Sequence, residues 1–290
     1  MTEPSVATTA PDVQPLMGPK VCIMGLSGVG KTYSLGTLAD WATANGYELA
    51  ILFTENSIET FLGYFRDHGR EPPPNVYWHQ QFTKPHSIKT LLQMADSVGK
   101  LSYEALAKSV DSNRGGENNA FFKILNSCAN FKDDRTGKEL GPVDSFPSTR
   151  IFAMDSLTET GNAAMKMQIG ARPMASPGDY GVAQSNLMNW LRLCTQGMAC
   201  PFVMTAHVDR EIEPISQMPK TVIKAIGKAL ITEIPTLFSE MIYAVRDNTN
   251  FYWDTAAYGV DTKTRSLGYR SKITPDFAQI FDVWKKRSGT

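Results

Sequence analysis

Short apolar runs alternate with segments of helical spacing along most of the chain. The runs are of strand length and read "KVCIMG", "YELAILFTE", "TRIFAMDS" and "CPFVMTAH", and apolar residues recur at helical intervals between them. Strands that are apolar on both faces are typical of a parallel sheet covered by helices. The pattern therefore predicts an α/β fold with a mainly parallel central sheet flanked by helices.

The two ends of the chain and its middle depart from this pattern. The C-terminal runs "SEMIYAVRD", "NFYWDTAA" and "LGYRSK" predict strands at an antiparallel edge of the sheet. Residues 1–18 lack the basic start and apolar core of a signal peptide, and we expect them to be disordered. Clear alternation is lost across residues 84–147, which predicts an insertion or peripheral subdomain within a single domain that spans residues 19–290.

A glycine loop follows the first predicted strand. "GLSGVGKTYS", residues 25–34, matches the phosphate-binding pattern G-x-x-x-x-G-K-[ST] in full. Glycine lets backbone N–H groups turn toward phosphate oxygens, the lysine reaches the β- and γ-phosphates, and the threonine hydroxyl can bind Mg²⁺. The residues predicted to bind the nucleotide are Gly25, Ser27, Gly28, Val29, Gly30, Lys31, Thr32 and Tyr33.

Two acidic residues end apolar strands. Asp155 ends the run "IFAM" and is a candidate Mg²⁺ ligand together with Thr32, although a helix N-cap is an alternative role. A P-loop hydrolase also needs a carboxylate that orients the attacking water. Ser156, the residue after Asp155, has none, so this carboxylate must come from elsewhere. Glu55, at the end of "AILFT", is well placed for this role; the alternative is a solvated acid at a strand end.

Composition excludes several classes of function. Lys and Arg equal Asp and Glu in number, so no overall positive field attracts nucleic acid or an anionic membrane, and DNA contacts must come from local loops. The four cysteines lack metal-ligand spacing, which favours buried, reduced thiols, with no zinc, in a cytoplasmic protein. No apolar run is long enough for a membrane span.

The order of these motifs resembles that of RecA-like ATPases. In that family a catalytic Glu, an Asp-Ser pair and a polar sensor of the γ-phosphate end successive strands, and here "LFTE", "FAMDS" and "VMTAH" carry Glu55, Asp155 and His207 in the same order. The segments "IGKALITEIPTLFSEMIYAV" and "DTKTRS" are similar to later parts of the family. The His sensor is similar to that of compact phage proteins, which include single-strand annealing recombinases. The resemblance covers residues 19–56 and 148–272.

The resemblance implies hydrolysis of ATP with Mg²⁺, in which Lys31, Glu55 and His207 are catalytic. An ordinary, partly buried histidine is the alternative for His207. Lys263 and Arg265 correspond to cations that reach the ATP of a neighbouring subunit, which implies a homo-oligomer; solvated surface charge is the alternative for both. Two loops are expected to contact single-stranded DNA through basic residues, namely Lys166, Arg172, Arg210, Lys220, Lys224 and Lys228.

The expected function is thus that of an ATP-binding RecA-like ATPase that acts on single-stranded DNA in recombination or annealing, in the host cytoplasm if the protein is encoded by a bacteriophage. Two alternatives share the same core. One is a DNA-translocating motor of the helicase or genome-packaging type, and the other is an ATP-dependent regulatory switch that does no work on DNA. The residues leave the preference for ATP over GTP and the size of the oligomer open.

Overall fold

A computed structural model describes residues 17–81, 87–100, 119–169, 175–213 and 217–289. Its strands are β1 (Lys20–Met24), β2 (Glu48–Phe53), β3 (Val76–Gln80), β4 (Phe131–Lys132), β5 (Glu139–Gly141), β6 (Arg150–Asp155), β7 (Phe202–Ala206), β8 (Val208–Ile212), β9 (Pro219–Ile223), β10 (Glu240–Asp247) and β11 (Asn250–Asp254). Its helices are α1 (Lys31–Ala44), α2 (Ile58–Asp67), α3 (Ile88–Lys100), α4 (Ala120–Ala129), α5 (Leu157–Ile169), α6 (Pro177–Arg192), α7 (Gly227–Leu237) and α8 (Ala278–Ser288).

Seven strands form the central sheet in the order β11-β10-β1-β7-β6-β2-β3. All neighbouring strands in this sheet are parallel except β10 and β11, which form an antiparallel hairpin. The predicted fold class is therefore confirmed, including its antiparallel C-terminal edge. Because β7 lies between β1 and β6, the strand before the glycine loop and the strand that ends in Asp155 are not direct neighbours.

The sheet is buried on both faces, which explains the continuous apolar runs. In β2, Leu49, Ile51 and Phe53 face one core, and Ala50 and Leu52 face the other. The first core lies under α1, α2 and α8, and the second lies under α4, α5, α6 and α7. A strand covered on both sides has no polar face, so its sequence shows no alternation.

Three segments differ from the sequence prediction. The basic stretch after His207, interpreted as a loop, contains the antiparallel pair β8 and β9. "LGYRSK" forms no strand, although the backbone N–H of Thr255 donates to the Arg270 carbonyl (2.9 Å) and an isolated bridge joins Trp253 to Ile273. The C-terminal helix α8 was not predicted, and its Phe281 packs against Trp41 of α1. The contact of α8 with α1 thus joins residues far apart in sequence.

Parts of the predicted insertion and N-terminal segment lie outside the described residues, namely residues 1–16, 84–86 and 101–118. The rest of residues 84–147 includes α3, α4 and the β4–β5 hairpin. The hairpin joins the edge of the sheet, since the Asp133 carboxylate accepts a hydrogen bond from the backbone N–H of Trp78 in β3 (2.9 Å). Among the described helices, none combines the length and apolar character needed to cross a membrane.

Helices α1 and α2 pack closely because a glycine faces an aromatic ring. The buried ring of Tyr64 lies over Gly36, where a Cβ atom would be 2.1 Å from the ring. The Tyr64 hydroxyl donates a hydrogen bond to the Asp40 carboxylate (2.6 Å). Tyr64 is therefore a core aromatic residue, and Gly36 is required by the close approach of the two helices.

We expect Gly36→Ala to lower the free energy of unfolding by about 1–3 kcal/mol, because the added methyl group overlaps the ring of Tyr64. Helix propensity alone would act in the opposite direction by about 1 kcal/mol. Gly63→Ala in α2 is the matched control, since its Cβ atom would meet no atom within 4 Å. Urea denaturation measures both changes, and equal stability of the two variants would contradict this packing.

Candidate nucleotide-binding site

The glycine loop connects β1 to the first turn of α1. Gly28 and Gly30 have φ values of 73° and 83°, in the left-handed region that favours glycine. The loop is fixed to the sheet by the backbone N–H of Gly25, which donates to the Ala206 carbonyl (3.1 Å). The loop therefore surrounds the N-terminus of α1, where free N–H groups and the helix dipole favour an anion.

Lys31 lies at the base of this loop, with its side chain buried. Its ammonium group donates hydrogen bonds to the carbonyl oxygens of Gly25 (2.9 Å) and Leu26 (2.7 Å). Burial lowers the pKa of Lys31, while the nearby carboxylates of Asp155 and Glu55 raise it in part. The ammonium is thus held between the loop and the two acids.

The buried Asp155 carboxylate is bonded to three hydroxyl groups from different parts of the chain. Oδ2 accepts hydrogen bonds from Thr32 and from Ser57, each at 2.7 Å, and Oδ1 accepts one from Thr205. A carboxylate beside a threonine hydroxyl presents the oxygen ligands that Mg²⁺ prefers. Thr32 and Asp155 therefore fit a magnesium ion next to the phosphate loop.

Glu55 lies beside Asp155, after the end of β2. Its carboxylate accepts a hydrogen bond from the Ser156 hydroxyl, and His207 Nε2 is 3.3 Å from Oε1 and 3.4 Å from Oε2. Burial by itself raises the pKa of Glu55, but hydrogen bonds from His207 and Ser156 and the charge of Lys31 bring it below its usual value. Glu55 is therefore held as a carboxylate.

These side chains face one cavity of about 240 Å³ at the carboxyl edge of the sheet. Its walls include the glycine loop, Glu55, Asp155 and His207. A second cavity, of about 420 Å³, shares Glu55 and His207 and extends to Lys166 on α5. Parallel strands bring their carboxyl ends to one edge of the sheet. The glycine loop, Glu55, Asp155 and His207 therefore meet there, although they are far apart in sequence.

Tyr33 differs from the other residues predicted at the nucleotide. Its side chain turns toward α2, where the hydroxyl donates to the Asp67 carboxylate (3.0 Å) and the ring contacts the edge of Tyr64. The backbone of Tyr33 remains in the first turn of α1. A contact from Tyr33 to a nucleotide would therefore come from its main chain.

Of the cations predicted to contact DNA, Lys166 lines the second cavity together with Glu55 and His207, and Arg172 is outside the described residues. Lys166, Arg210, Lys224 and Lys228 are exposed. The backbone N–H of Lys224 donates to the His207 carbonyl (2.9 Å), and Lys220 pairs with Asp261 (2.8 Å). Arg210 lies three residues after His207 on β8, and Lys220 lies opposite Glu211 on β9, one position further from His207.

Lys263 and Arg265 lie at the amino ends of the strands, on the side of the sheet opposite to the glycine loop. The backbone of Lys263 pairs with Met241 at the start of β10, and the Arg265 N–H donates to the Glu240 carboxylate (3.0 Å). Glu240 is in parallel register with Val21 at the start of β1. The length of β1, roughly 15 Å, therefore separates both residues from the glycine loop of their own chain.

Sequence reasoning missed four side chains that contact the site. No role at the site was predicted for Ser57 or Thr205, and Ser156 was noted only as the neighbour of Asp155. Arg246 of β10 reaches the glycine loop, with Nη1 3.9 Å from the place a Gly28 Cβ would take. Thr205 had a signal, as a polar residue inside an apolar strand, whereas Arg246 had none because its position depends on the strand order.

Within the described ranges, no group of three or more His, Cys, Asp or Glu side chains is arranged to hold a metal ion. The four cysteines are buried free thiols. Burial raises the pKa of Cys22 to about 12 and that of Cys200 to about 11. These thiols are therefore protonated at neutral pH and are poor metal ligands.

Comparisons with known proteins give distant structural neighbours. No family model matches the sequence, and no curated protein matches it. A prototypical ATPase from the type III secretion system of pathogenic bacteria is 13% identical, with a TM-score of 0.38 over 79% of this chain and 53% of the other. The ATPase EscN from enteropathogenic E. coli, in complex with its central stalk EscO, is 14% identical, with a TM-score of 0.39 over 86% and 47%.

This chain thus spans about half the length of each of these two structures. The similarities are low, so the function proposed below rests on the residues of this chain.

We expect Thr205→Val to lower the free energy of unfolding by about 1.5–3 kcal/mol, because a buried carboxylate oxygen loses a hydrogen bond. Thr195→Val is the control: this buried threonine donates to the neutral carbonyl of Leu191 (2.7 Å), and its loss should cost about 0.5–1.5 kcal/mol. Chemical denaturation at neutral pH gives both values. A smaller loss at position 205 than at position 195 would contradict the assigned bond to Asp155.

Proposed function

We propose that the protein is a RecA-like ATPase that binds ATP with Mg²⁺ and acts on single-stranded DNA, in recombination or annealing, as a homo-oligomer. The observation that carries the proposal is the hydrogen bond between Thr32 and Asp155, made next to Lys31 and Glu55 in one cavity. This set supplies the parts of phosphoryl transfer: a phosphate-binding lysine, oxygen ligands for the metal, and a carboxylate for the attacking water.

Glu55 orients the water that attacks the γ-phosphorus. Its low pKa keeps it ionised at neutral pH, so it can accept a hydrogen bond from that water. Lys31 neutralises phosphate charge from within the glycine loop, and the N-terminus of α1 adds backbone donors. A bound Mg²⁺, held by Thr32 and Asp155, would neutralise developing charge on the phosphate oxygens.

His207 connects this chemistry to the rest of the protein. Its ring contacts Glu55 and its carbonyl accepts the hydrogen bond from Lys224, while its own N–H donates to the Thr158 hydroxyl (3.0 Å). A ligand that moves Lys224, the first residue after β9, would therefore also move His207, which contacts the catalytic carboxylate of Glu55. This contact favours an ATPase whose rate responds to a bound partner.

Single-stranded DNA is the proposed partner because exposed cations adjoin His207. Lys224, Arg210 and Lys166 can neutralise phosphates without reading bases, which gives binding that falls with salt. Asp209, Glu211 and Glu213 lie among these cations and oppose DNA binding. The position of Lys224 beside His207 supports DNA-stimulated hydrolysis over a switch without DNA work; a translocating motor shares this feature.

Lys263 and Arg265 are proposed to act on the ATP of a neighbouring subunit. Their distance from the phosphate loop of the same chain requires a second subunit for any such contact. Burial lowers the pKa of Lys263, and the nearby charge of Arg265 lowers it further, while Glu240 raises it. Oligomerisation would then be a condition for rapid hydrolysis.

The proposal predicts that single-stranded DNA stimulates ATP hydrolysis and that the stimulation declines as salt increases. Lys31→Ala and Glu55→Gln should each reduce hydrolysis by about 100-fold or more, because one loses phosphate neutralisation and the other the catalytic carboxylate. Glu59→Gln is the matched control, since Glu59 is an exposed residue of α2 paired with Arg66 (2.8 Å). Phosphate release with and without DNA measures these rates.

Lys224→Ala should reduce the stimulation by DNA while the basal rate is kept, and Lys286→Ala, an exposed cation of α8, should change neither. Hydrolysis that is indifferent to DNA would refute the role in recombination and favour the regulatory switch. Strand displacement in one direction would instead favour a translocating motor. Activity retained in Glu55→Gln would show that another group orients the water.

The lowered pKa of Glu55 predicts how hydrolysis depends on pH. Ser156 donates to the ionised carboxylate, so Ser156→Ala should raise the pKa of Glu55 and move the acidic limb of the kcat profile to higher pH. Ser127→Ala is the control, since that hydroxyl donates to the Lys123 carbonyl (3.0 Å) within α4. An acidic limb that stays in place, or moves to lower pH, would contradict the role of Glu55.

A further inference from the structure

Ser57 occupies the position of a helix cap but does not act as one. It precedes the first residue of α2, and its side chain makes no capping hydrogen bond. An N-cap serine normally accepts a hydrogen bond from the second or third backbone N–H of its helix. Here the Thr60 N–H is bonded to the Ser57 carbonyl (3.0 Å), and the Ser57 hydroxyl donates to Asp155 Oδ2 (2.7 Å).

This hydrogen bond joins two parts of the site. Oδ2 of Asp155 also accepts from Thr32, the other candidate magnesium ligand, at the same distance. Ser57 follows Glu55 by two residues, and the backbone N–H of Ser57 donates to the Glu55 carbonyl (2.9 Å). The short segment from Glu55 to Ser57 is therefore tied to the carboxylate that is expected to hold the metal.

We propose that Ser57 is a positioning residue of the magnesium site, a role that rests on the proposed function. Its hydroxyl fixes the Asp155 carboxylate in the orientation that faces Thr32. Groups that hydrogen-bond to metal ligands orient them, and their loss typically weakens metal binding about 10- to 100-fold. The same bond makes metal binding and the placement of Glu55 depend on each other.

The test separates metal binding from helix capping. Glycine is nearly as good an N-cap as serine, so Ser57→Gly removes the hydroxyl at little cost to α2. Binding of a fluorescent ADP analogue is measured in EDTA and across a Mg²⁺ titration. We expect the half-saturating Mg²⁺ concentration to rise about 10-fold or more in Ser57→Gly, with unchanged affinity in EDTA. Ser57→Thr, which keeps the hydroxyl, should restore the wild-type titration.

Ser176→Gly is the matched control. Ser176 is the N-cap residue of α6, where its hydroxyl and its backbone N–H both donate to the Asp179 carboxylate at 2.7 Å. This variant should titrate with Mg²⁺ as the wild type does.

Two results would overturn the inference. The first is a wild-type Mg²⁺ titration in Ser57→Gly, with or without a loss of stability, because the hydroxyl would then serve the fold alone. The second is an equal loss of affinity in EDTA and in Mg²⁺, because Ser57 would then shape the nucleotide site itself. The wild-type titration distinguishes a failure of this inference from a failure of the proposed function. Without Mg²⁺-dependent binding in the wild-type protein, both fail; with it, an unchanged Ser57→Gly titration overturns the inference alone.

Discussion

The site depends on the hydrogen bonding of one buried carboxylate. Asp155 ends the strand β6, and hydroxyl groups from α1, from the segment before α2 and from β7 all donate to it. A buried carboxylate is costly unless its oxygens are bonded, so these donors and the strands that carry them are held in one arrangement. The glycine loop, Glu55 and His207 are positioned by the same strand ends.

Charges of opposite sign lie close together around Asp155. Asp155 and Glu55 face the ammonium of Lys31, which burial alone would make easier to deprotonate. Each acid therefore supports the charge of the lysine, and the lysine in turn stabilises the carboxylate of Glu55. A nucleotide triphosphate would bring negative charge to Lys31, and its magnesium ion would bring positive charge to the carboxylates. Groups that are already held in place can bind such a ligand with little rearrangement.

The sequence predicted the parts of the site whose signal is local. The glycine loop is a contiguous motif, and Glu55, Asp155 and His207 each end an apolar run, so parallel strands bring them to one edge. The hydrogen bonds of Ser57 and Thr205 to Asp155 could not be predicted, because both depend on which strands are neighbours. Arg246 reaches the loop only because β10 lies beside β1. The helix α8 was missed because its position depends on packing against α1, which is far away in sequence.

If Lys263 or Arg265 contacts the nucleotide of a neighbouring subunit, as proposed, the assembly has a direction. The phosphate loop lies at the carboxyl edge, while Lys263 and Arg265 lie at the amino edge, so a contact between them joins two unlike surfaces. Such an interface is head-to-tail: repeated copies either close into a ring or grow as a filament with two different ends. In an open filament one terminal subunit would face no neighbour at its nucleotide site, so the two ends would differ in chemistry as well as in shape.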